Sequence, residues 1–287
     1  MRRGDFAAAW NISDSSLRTR RAEDQIKLQR WQQSVWDGSS LAGKRVLVRC
    51  YHGLGDTIHF IRYASLLKDI EAEVIVWTQP TLIPLLRGVR GIDRLLPLHD
   101  GVPDVEYDVD VELNELPHVF RTTLASIPAD VPYISVEPAV LPHDGRLRVG
   151  LIWQSGDWDD RRSVPFSEIK RLRSVPGVDW HILQRDALRA GWDGELGVVA
   201  GGDNPLDDAR VMCALDLVVS VDTMTAHLAG ALGRPAWTLL HSDPDWRWML
   251  DRDDSPWYPT MRLFRQPHPH RWDLVIDAVT RELRNVL

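Results

Sequence analysis

The stretch LVVSVDTMTAHLAGALGRPAWTLL, residues 217–240, contains two apolar runs separated by a segment of small residues. The first run, Leu217–Val221, is rich in β-branched residues and stops at an Asp-Thr pair. The second run covers Ala236–Leu240. A strand, a turn, a helix and a second strand in this order form the repeating unit of a parallel sheet. The stretch therefore predicts an α/β fold.

The turn that joins the first of these strands to the helix is a candidate site. A helix that begins there offers free backbone N–H groups and the positive end of its dipole. The side chains at this turn are those of Asp222, Thr223, Met224, Thr225 and His227. Two interpretations stay open: an ordinary capped helix with a packed histidine, or a binding site for a phosphate or diphosphate.

Composition limits the classes of protein to consider. A chain of 287 residues with 44% hydrophobic residues can hold two domains. The net charge of −7, without a long basic run, argues against a general nucleic-acid binder. Cys50 and Cys213 are far apart, offer no metal-ligand spacing and suggest a reducing compartment. Because no segment has the apolar length of a signal peptide or a membrane span, we expect a soluble, cytoplasmic protein.

The front half of the chain has the same predicted order of a strand, a turn and a helix. Residues 1–35 predict a helical segment, broken near Asn11–Ser15. Residues 44–50 predict a strand that runs into the sequence YHGLGDTIHF, residues 51–60, where a helix begins. The carboxyl end of a strand facing a helix N-terminus is where open α/β sheets bind ligands.

Four residues of this second turn are candidates for binding or chemistry. Gly53 and Gly55 leave room for a substrate beside the backbone, and His52 lies next to them. Asp56 is either a plain N-cap or, if Thr57 caps the helix instead, a group available for chemistry. The turn lacks the third glycine of a dinucleotide-binding fingerprint.

The remaining pattern predicts alternating strands and helices. Strands are expected at 73–77, 92–98, 107–113, 147–153, 179–184 and 196–199, and helices at 82–87, 114–127, 166–172, 205–214 and 272–287. Asp108 and Asp110 would share one face of a strand. Such a pair can hold a divalent metal under a nucleotide-sugar diphosphate, but we favour a polar strand face. Residues 136–146 are the best linker.

The loop after the strand at 147–153 carries two arginines. Arg161 and Arg162 could clamp a diphosphate, because guanidinium groups match phosphate oxygens. Alternatively, they pair with the carboxylates of Asp157, Asp159 and Asp160. Gln184 or Asp186, at the end of the next strand, is placed to meet a ribose.

The two halves suggest two α/β domains with a cleft between them, which would place Asp56 opposite residues 223–227. We expect a helical N-terminal segment at 1–35, an acceptor domain at 36–140, a nucleotide-sugar domain at 147–268 and a closing helix at 270–287. That arrangement suits group transfer from an activated donor.

Three ordered motifs carry a resemblance to a known family: GLGDTIHFIRYA at 53–64, SVDTMTAHLAGALGRP at 220–235, and DWRW through SPWYP at 245–259. They resemble the heptosyltransferase-like glycosyltransferases, in the branch often fused to tetratricopeptide repeats. The resemblance covers about residues 36–287. Residues 1–35 are similar to the segment that follows the repeats in fused members.

The resemblance implies a GT-B fold, in which two Rossmann-like domains face a cleft and the closing helix returns to the first domain. It also implies metal-independent, inverting transfer from a nucleotide-diphosphate sugar, with ADP-heptose the most expected donor and no further cofactor. The acceptor would be a glycan, a lipid-linked glycan or a small molecule. Asp56 matches the proposed general base, residues 222–225 and His227 match the diphosphate-binding turn, and Ser155 and Arg162 match a hydroxyl and a basic residue of the donor loop.

Some positions differ from the family pattern. A lysine is usual near Arg162, a glycine is usual where Met224 stands, and Asp186 only approximates the ribose-binding acid. The cysteine cluster of the iron-containing relatives is absent from the sequence. Two other functions therefore stay open as alternatives: a nucleotide-sugar epimerase, and a non-catalytic module that binds a nucleotide sugar or a protein.

Overall fold

A computed structural model describes residues 1–156, 158–202 and 204–287. The chain forms two compact units. The first contains Met1–Ala129 and Tyr133–Ser135, and the second contains Asp130–Pro132 and Val136–Leu287. The predicted linker at 136–146 begins at Val136, the residue from which the rest of the chain belongs to the second unit. The predicted cleft between two domains stays a prediction.

The first unit is built on a parallel sheet of four strands in the order β3-β2-β1-β4. Its strands are β1 (Arg45–Arg49), β2 (Glu73–Thr78), β3 (Arg94–Pro97) and β4 (Val109–Glu112). Its α-helices are α1 (Phe6–Thr19), α2 (Ala22–Ile26), α3 (Leu54–Phe60), α4 (Ala64–Asp69), α5 (Ile83–Leu86) and α6 (Leu116–Val119). The central strands β1 and β2 are continuous apolar runs because both faces of a parallel sheet are covered.

The second unit is built on a parallel sheet of six strands in the order β10-β9-β8-β5-β6-β7. Its strands are β5 (Leu147–Ile152), β6 (Val178–Ile182), β7 (Val198–Val199), β8 (Leu217–Val221), β9 (Ala236–Leu240) and β10 (Met261–Arg265). Its α-helices are α7 (Phe166–Ile169), α8 (Pro205–Ala214), α9 (Met224–Ala231) and α10 (Trp272–Val286). Numbered within the unit, the order is 3-2-1-4-5-6, that of dinucleotide-binding folds. The predicted α/β class with parallel sheets is confirmed.

The closing helix α10 belongs to the second unit. Its apolar side chains Val275, Ile276, Val279 and Leu283 are buried in the same core as the strands of that unit. Burial of each such side chain stabilises the fold by about 1.5–3 kcal/mol. We expected this helix to return to the first domain; instead, its apolar face packs within the second unit.

The N-terminal helix differs from the expected one. α1 runs through Asn11–Ser15 without a break, and the hydroxyls of Ser15, Ser16 and Thr19 donate to backbone carbonyls one turn earlier within the helix, where they do not disrupt it. Its buried residues are Phe6 and Trp10. None of the described helices combines the length and the apolar character that crossing a bilayer requires.

Two other elements also differ from prediction. The helix expected within 114–127 is present but short: α6 ends at Val119, shortly before Arg121 takes a φ of +49°. A residue in this left-handed region cannot continue the helix. Strand β10 was not predicted.

Glu115 holds the chain that follows α1 against the first unit. One carboxylate oxygen accepts a hydrogen bond from Arg20 at 2.8 Å. The other accepts the backbone N–H groups of Val35 at 3.0 Å and Trp36 at 3.1 Å. Because Glu115 and Trp36 are buried, these bonds are made away from water. Removal of the carboxylate would leave these amides without their acceptor and Arg20 with the Trp36 carbonyl but no carboxylate partner.

We predict that Glu115→Ala lowers the free energy of unfolding by about 3 kcal/mol, because it removes the carboxylate partner of Arg20 and the acceptor of three backbone N–H groups, those of Val35, Trp36 and Glu112. Limited trypsin digestion should cut this variant at the basic residues between Arg18 and Arg30 faster than the wild type. Glu106→Ala is the control, since Glu106 is 88% exposed and pairs only at the surface with Arg45. Equal cleavage rates in all three proteins would show that Glu115 is not an anchor.

Candidate functional site

The first turn of α9 follows the carboxyl end of β8. Thr223 occupies the N-cap position in an extended conformation, and its side chain makes no capping hydrogen bond. By contrast, Asp5 and Asn204 cap α1 and α8 with their side-chain oxygens. The start of α9 therefore keeps the backbone N–H groups and the positive dipole end that bind anions. Thr225 is buried and Met224 is half-buried in the same turn.

Arg162 is the arginine that reaches this turn. It lies in a short 3₁₀ helix, Asp160–Arg162, after β5. Its Nη1 donates to the backbone carbonyl of Asp222 at 3.1 Å. Arg161 instead pairs with Asp159 at 2.8 Å and is 62% exposed. The alternative of carboxylate pairing thus holds for Arg161, whereas Asp157 lies outside the described residues.

Ser155 shapes the loop that carries Arg162. Its backbone N–H donates to the Ser163 hydroxyl at 3.1 Å, and its own hydroxyl donates to the carbonyls of Gly156 and Asp159. These bonds tie Ser155 to Asp159 and Ser163, on the part of the loop next to Arg162. Ser155 thereby helps to position the backbone from which the Arg162 side chain extends to Asp222.

Asp222 is a buried acid, 6% exposed, at the end of β8. Burial raises the pKa of its carboxyl to about 6, and the Trp248 side chain and the positive charge of Arg162 partly oppose this rise. Its pKa therefore lies close to neutral pH. Such shifted acids cluster at functional sites.

His227 is largely buried at this turn. It is 6% exposed, its ring stacks on Trp248 with centroids 5.1 Å apart, and its Nδ1 lies 3.0 Å from the Tyr258 hydroxyl. The interpretation of a packed histidine therefore describes His227, while the helix start that it shares keeps the features of an anion site. Sequence patterns gave no sign that Tyr258 would meet His227.

Gln184 and Asp186 both line a cavity of about 530 Å³ beyond the carboxyl end of β6. Further lining residues that the sequence did not indicate include Arg185, Leu188, Arg189 and Trp192. The Gln184 side chain also accepts the backbone N–H groups of Trp153 at 3.1 Å and Gln154 at 2.9 Å. Gln184 therefore holds the start of the loop after β5 in place. Its side-chain oxygen is already bound by two backbone N–H groups where the residue lines the cavity.

In the first unit, Asp56 lies at the start of α3. Its carboxylate accepts the backbone N–H of Gly53 at 3.1 Å. Thr57 is fully buried and donates to Gln79 at 3.0 Å, so of the two alternatives the structure shows Asp56 as the capping residue. Asp56 itself makes the capping contact, and Gly55 lies within the helix.

His52 has a buried acidic neighbour that the sequence did not indicate. Its Nε2 lies 3.4 Å from Glu112, at the end of β4, and its carbonyl accepts Gln79 at 2.6 Å. Burial raises the pKa of the Glu112 carboxyl well above its usual range, and the charge of Glu115 adds to that rise. The two candidate turns thus each adjoin a buried carboxyl with a raised pKa.

The Asp-x-Asp pair is a polar strand face. Asp108 pairs with Arg45 at 2.9 Å, and Asp110 pairs with Arg49. Each acid is thus matched by an arginine of the neighbouring strand β1. Over residues 1–156, 158–202 and 204–287, no group of three or more His, Cys, Asp or Glu side chains could hold a metal ion.

Within the second unit, the structure brings together residues far apart in sequence. Arg162 and Asp222 meet where β5 and β8 are adjacent. Ser155 makes hydrogen bonds within the loop that follows β5 and carries Arg162. Strand order reverses between these two strands, which is where open α/β sheets bind ligands. The arrangement can hold an anion at the start of α9, beside a cavity that begins at β6.

No family model matches this chain. Among curated proteins it is similar to Protein FlbA of Caulobacter vibrioides, with 27% identity over 290 residues. The match covers 87% of this chain and 48% of FlbA, so the chain spans about half the length of that relative.

Solved structures share the fold. One is a family 9 glycosyl transferase from Veillonella parvula, with a TM-score of 0.60, 11% identity, and coverage of 79% of this chain and 87% of that one. Another is the E. coli heptosyltransferase WaaC with ADP, with a TM-score of 0.55, 16% identity, and coverage of 84% and 97%. WaaC with ADP-2-deoxy-2-fluoro heptose gives a TM-score of 0.56 at 15% identity, with coverage of 85% and 100%. The chain therefore has the fold of heptosyltransferases and family 9 glycosyl transferases.

Proposed function

We propose that this protein is a metal-independent, inverting glycosyltransferase that moves a heptose-like sugar from a nucleotide-diphosphate donor to a hydroxyl acceptor. The observation that carries the proposal is the start of α9: its N-cap side chain makes no capping bond, and Arg162 reaches it from the neighbouring loop. This pair of features suits a diphosphate. The fold shared with WaaC supports the same assignment.

The donor is proposed to lie along the carboxyl edge of the second sheet. Its diphosphate would accept backbone N–H groups at residues 223–225 and a hydrogen bond from Arg162. The nucleoside would enter the cavity of about 530 Å³ beside Asp186 and Trp192. ADP is the first nucleotide to test, because WaaC was solved with ADP and with an ADP-heptose analogue.

Transfer is proposed as a single in-line displacement. The Asp56 carboxylate, one oxygen of which caps α3 through the Gly53 N–H, is also the proposed base: it accepts the proton of the acceptor hydroxyl, whose oxygen forms a bond to the anomeric carbon. The bond from that carbon to the diphosphate oxygen breaks, and the nucleoside diphosphate leaves with the electron pair. The helix start and the Arg162 guanidinium stabilise the negative charge that grows on this leaving group.

We predict that ADP binds the wild type and that Arg162→Met weakens this binding about 10- to 100-fold, because it removes a charged hydrogen-bond donor. Arg161→Met is the matched control and should change the Kd less than about 2-fold, since Arg161 pairs with Asp159. Calorimetric titration of the three proteins with ADP, GDP, UDP and TDP measures both effects. If none of these nucleotides binds the wild type, the donor site proposed here is wrong.

We predict that Asp56→Asn binds ADP with unchanged affinity but transfers sugar about 100- to 10,000-fold more slowly, as expected for the loss of a general base. Asp69→Asn, at the exposed end of α4, is the control and should retain full activity. The assay separates transferred sugar from free donor in the presence and absence of acceptor. Product formed from the donor alone would support the epimerase, and wild-type turnover by Asp56→Asn would remove Asp56 from the mechanism.

We predict that Asp222→Asn stabilises the fold above pH 6 while it slows transfer. The raised pKa means that the native state binds more protons than the unfolded state between about pH 4 and 6, so wild-type stability falls as pH rises through that window. A shift from 3.8 to about 6 corresponds to about 3 kcal/mol, and Asn removes that penalty. Since Asp222 lowers the stability of the fold by this amount, we expect its carboxyl to contribute to transfer, and its loss to slow the reaction.

Urea unfolding at pH 4, 5, 6 and 7.5 measures this difference in stability. The variant and the wild type should agree near pH 4 and diverge as pH rises. Asp160→Asn, at an exposed position of the neighbouring loop, is the control and should follow the wild type. A constant difference across the whole pH range would mean that Asp222 does not titrate as described.

A further inference from the structure

The contacts of His227 extend the proposed function, on which this inference rests. His227 lies in the first turn of α9, one turn after the N-cap Thr223. Phosphate oxygens in this position can only accept hydrogen bonds, so a histidine that binds them must donate. A neutral imidazole donates from one ring nitrogen and accepts at the other. What the second nitrogen meets therefore decides whether His227 can bind a phosphate.

Tyr258 provides that second contact from a fixed position. It is fully buried, and its hydroxyl lies 3.0 Å from Nδ1 of His227. Its ring packs against Gly230, where a Cβ atom would lie only 2.3 Å from the ring. Because only glycine allows this approach, the backbone of α9 sets where the hydroxyl stands. The hydroxyl and the imidazole are thus held by the same helix.

Trp248 fixes the plane of the imidazole. Its fully buried ring stacks on His227 with an angle of 18° between the ring planes. Partial rotation of the imidazole about the Cβ–Cγ bond would break this stacking, and a half-turn would put Cδ2 in place of Nδ1 opposite the Tyr258 hydroxyl. The ring therefore has one orientation in which both partners are satisfied.

We propose that Tyr258 is a positioning residue for His227: its hydroxyl donates to Nδ1 and so fixes the proton on Nε2. His227 then acts as a neutral hydrogen-bond donor to the phosphate of the nucleotide. Tyr258 thereby contributes to nucleotide binding through His227.

Tyr258→Phe tests this inference, because it keeps the ring that packs on Gly230 and removes the hydroxyl. Long-range ¹H–¹⁵N spectra should assign the proton of wild-type His227 to Nε2 and show mixed tautomers in the variant. ADP binding should weaken about 3- to 10-fold, as expected for one hydrogen bond. Tyr63→Phe is the matched control: Tyr63 is also fully buried, its hydroxyl meets Thr122 at 2.7 Å, and its loss should leave the ADP affinity unchanged.

A double-mutant cycle separates positioning from general loss of stability. His227→Gln places an amide donor near the position of Nε2 without a tautomer to fix, so Tyr258→Phe should cost little further affinity in that background. Additive losses would overturn the inference, as would a wild-type His227 with its proton on Nδ1. If the wild type bound no nucleotide at all, the proposed donor site would fail, and the tautomer spectra would still decide whether Tyr258 sets the proton.

Discussion

In the second unit, β5 and β8 are neighbours in the sheet, but the chain leaves them in opposite directions. Right-handed crossovers carry the chain from β5 to β6 on one side and from β8 to β9 on the other. The loops after these two strands therefore diverge and open a crevice at the carboxyl edge. The hydrogen bond from Arg162 to the carbonyl of Asp222 spans this crevice and links the loop after β5 to the start of α9.

The first unit also has a reversal of strand order, and different residues lie at its carboxyl edge. Its strand order reverses between β1 and β4, so the turn after β1 carries Asp56 and the end of β4 carries Glu112. Both units thus place a helix start and a buried acid at the edge where their strand order reverses. These acids are destabilising where they lie. Apolar packing elsewhere, such as that of α10 in the second unit, offsets their cost.

Sequence patterns predicted the parts of the fold that depend on neighbouring residues. The bounds of β8 and β9 agree with the apolar runs that predicted them, because central parallel strands are apolar on both faces. Strand β10 was missed because Arg262 and Arg265 interrupt its apolar pattern at the edge of the sheet. The partner of the apolar face of α10 was also mispredicted, since an amphipathic pattern shows that a face is buried but not what covers it.

The same limit applies to the candidate site. The turn at residues 222–225 and the arginine-bearing loop could be predicted because each is a local pattern of strand end, small residues and charge. The choice of Arg162 over Arg161 could not, since it depends on which guanidinium the loop turns towards β8. The partner of His227 lies 31 residues further along the chain. A motif can therefore place an imidazole at a phosphate site, but its hydrogen-bonding role depends on which ring nitrogen holds the proton, and only tertiary packing decides that.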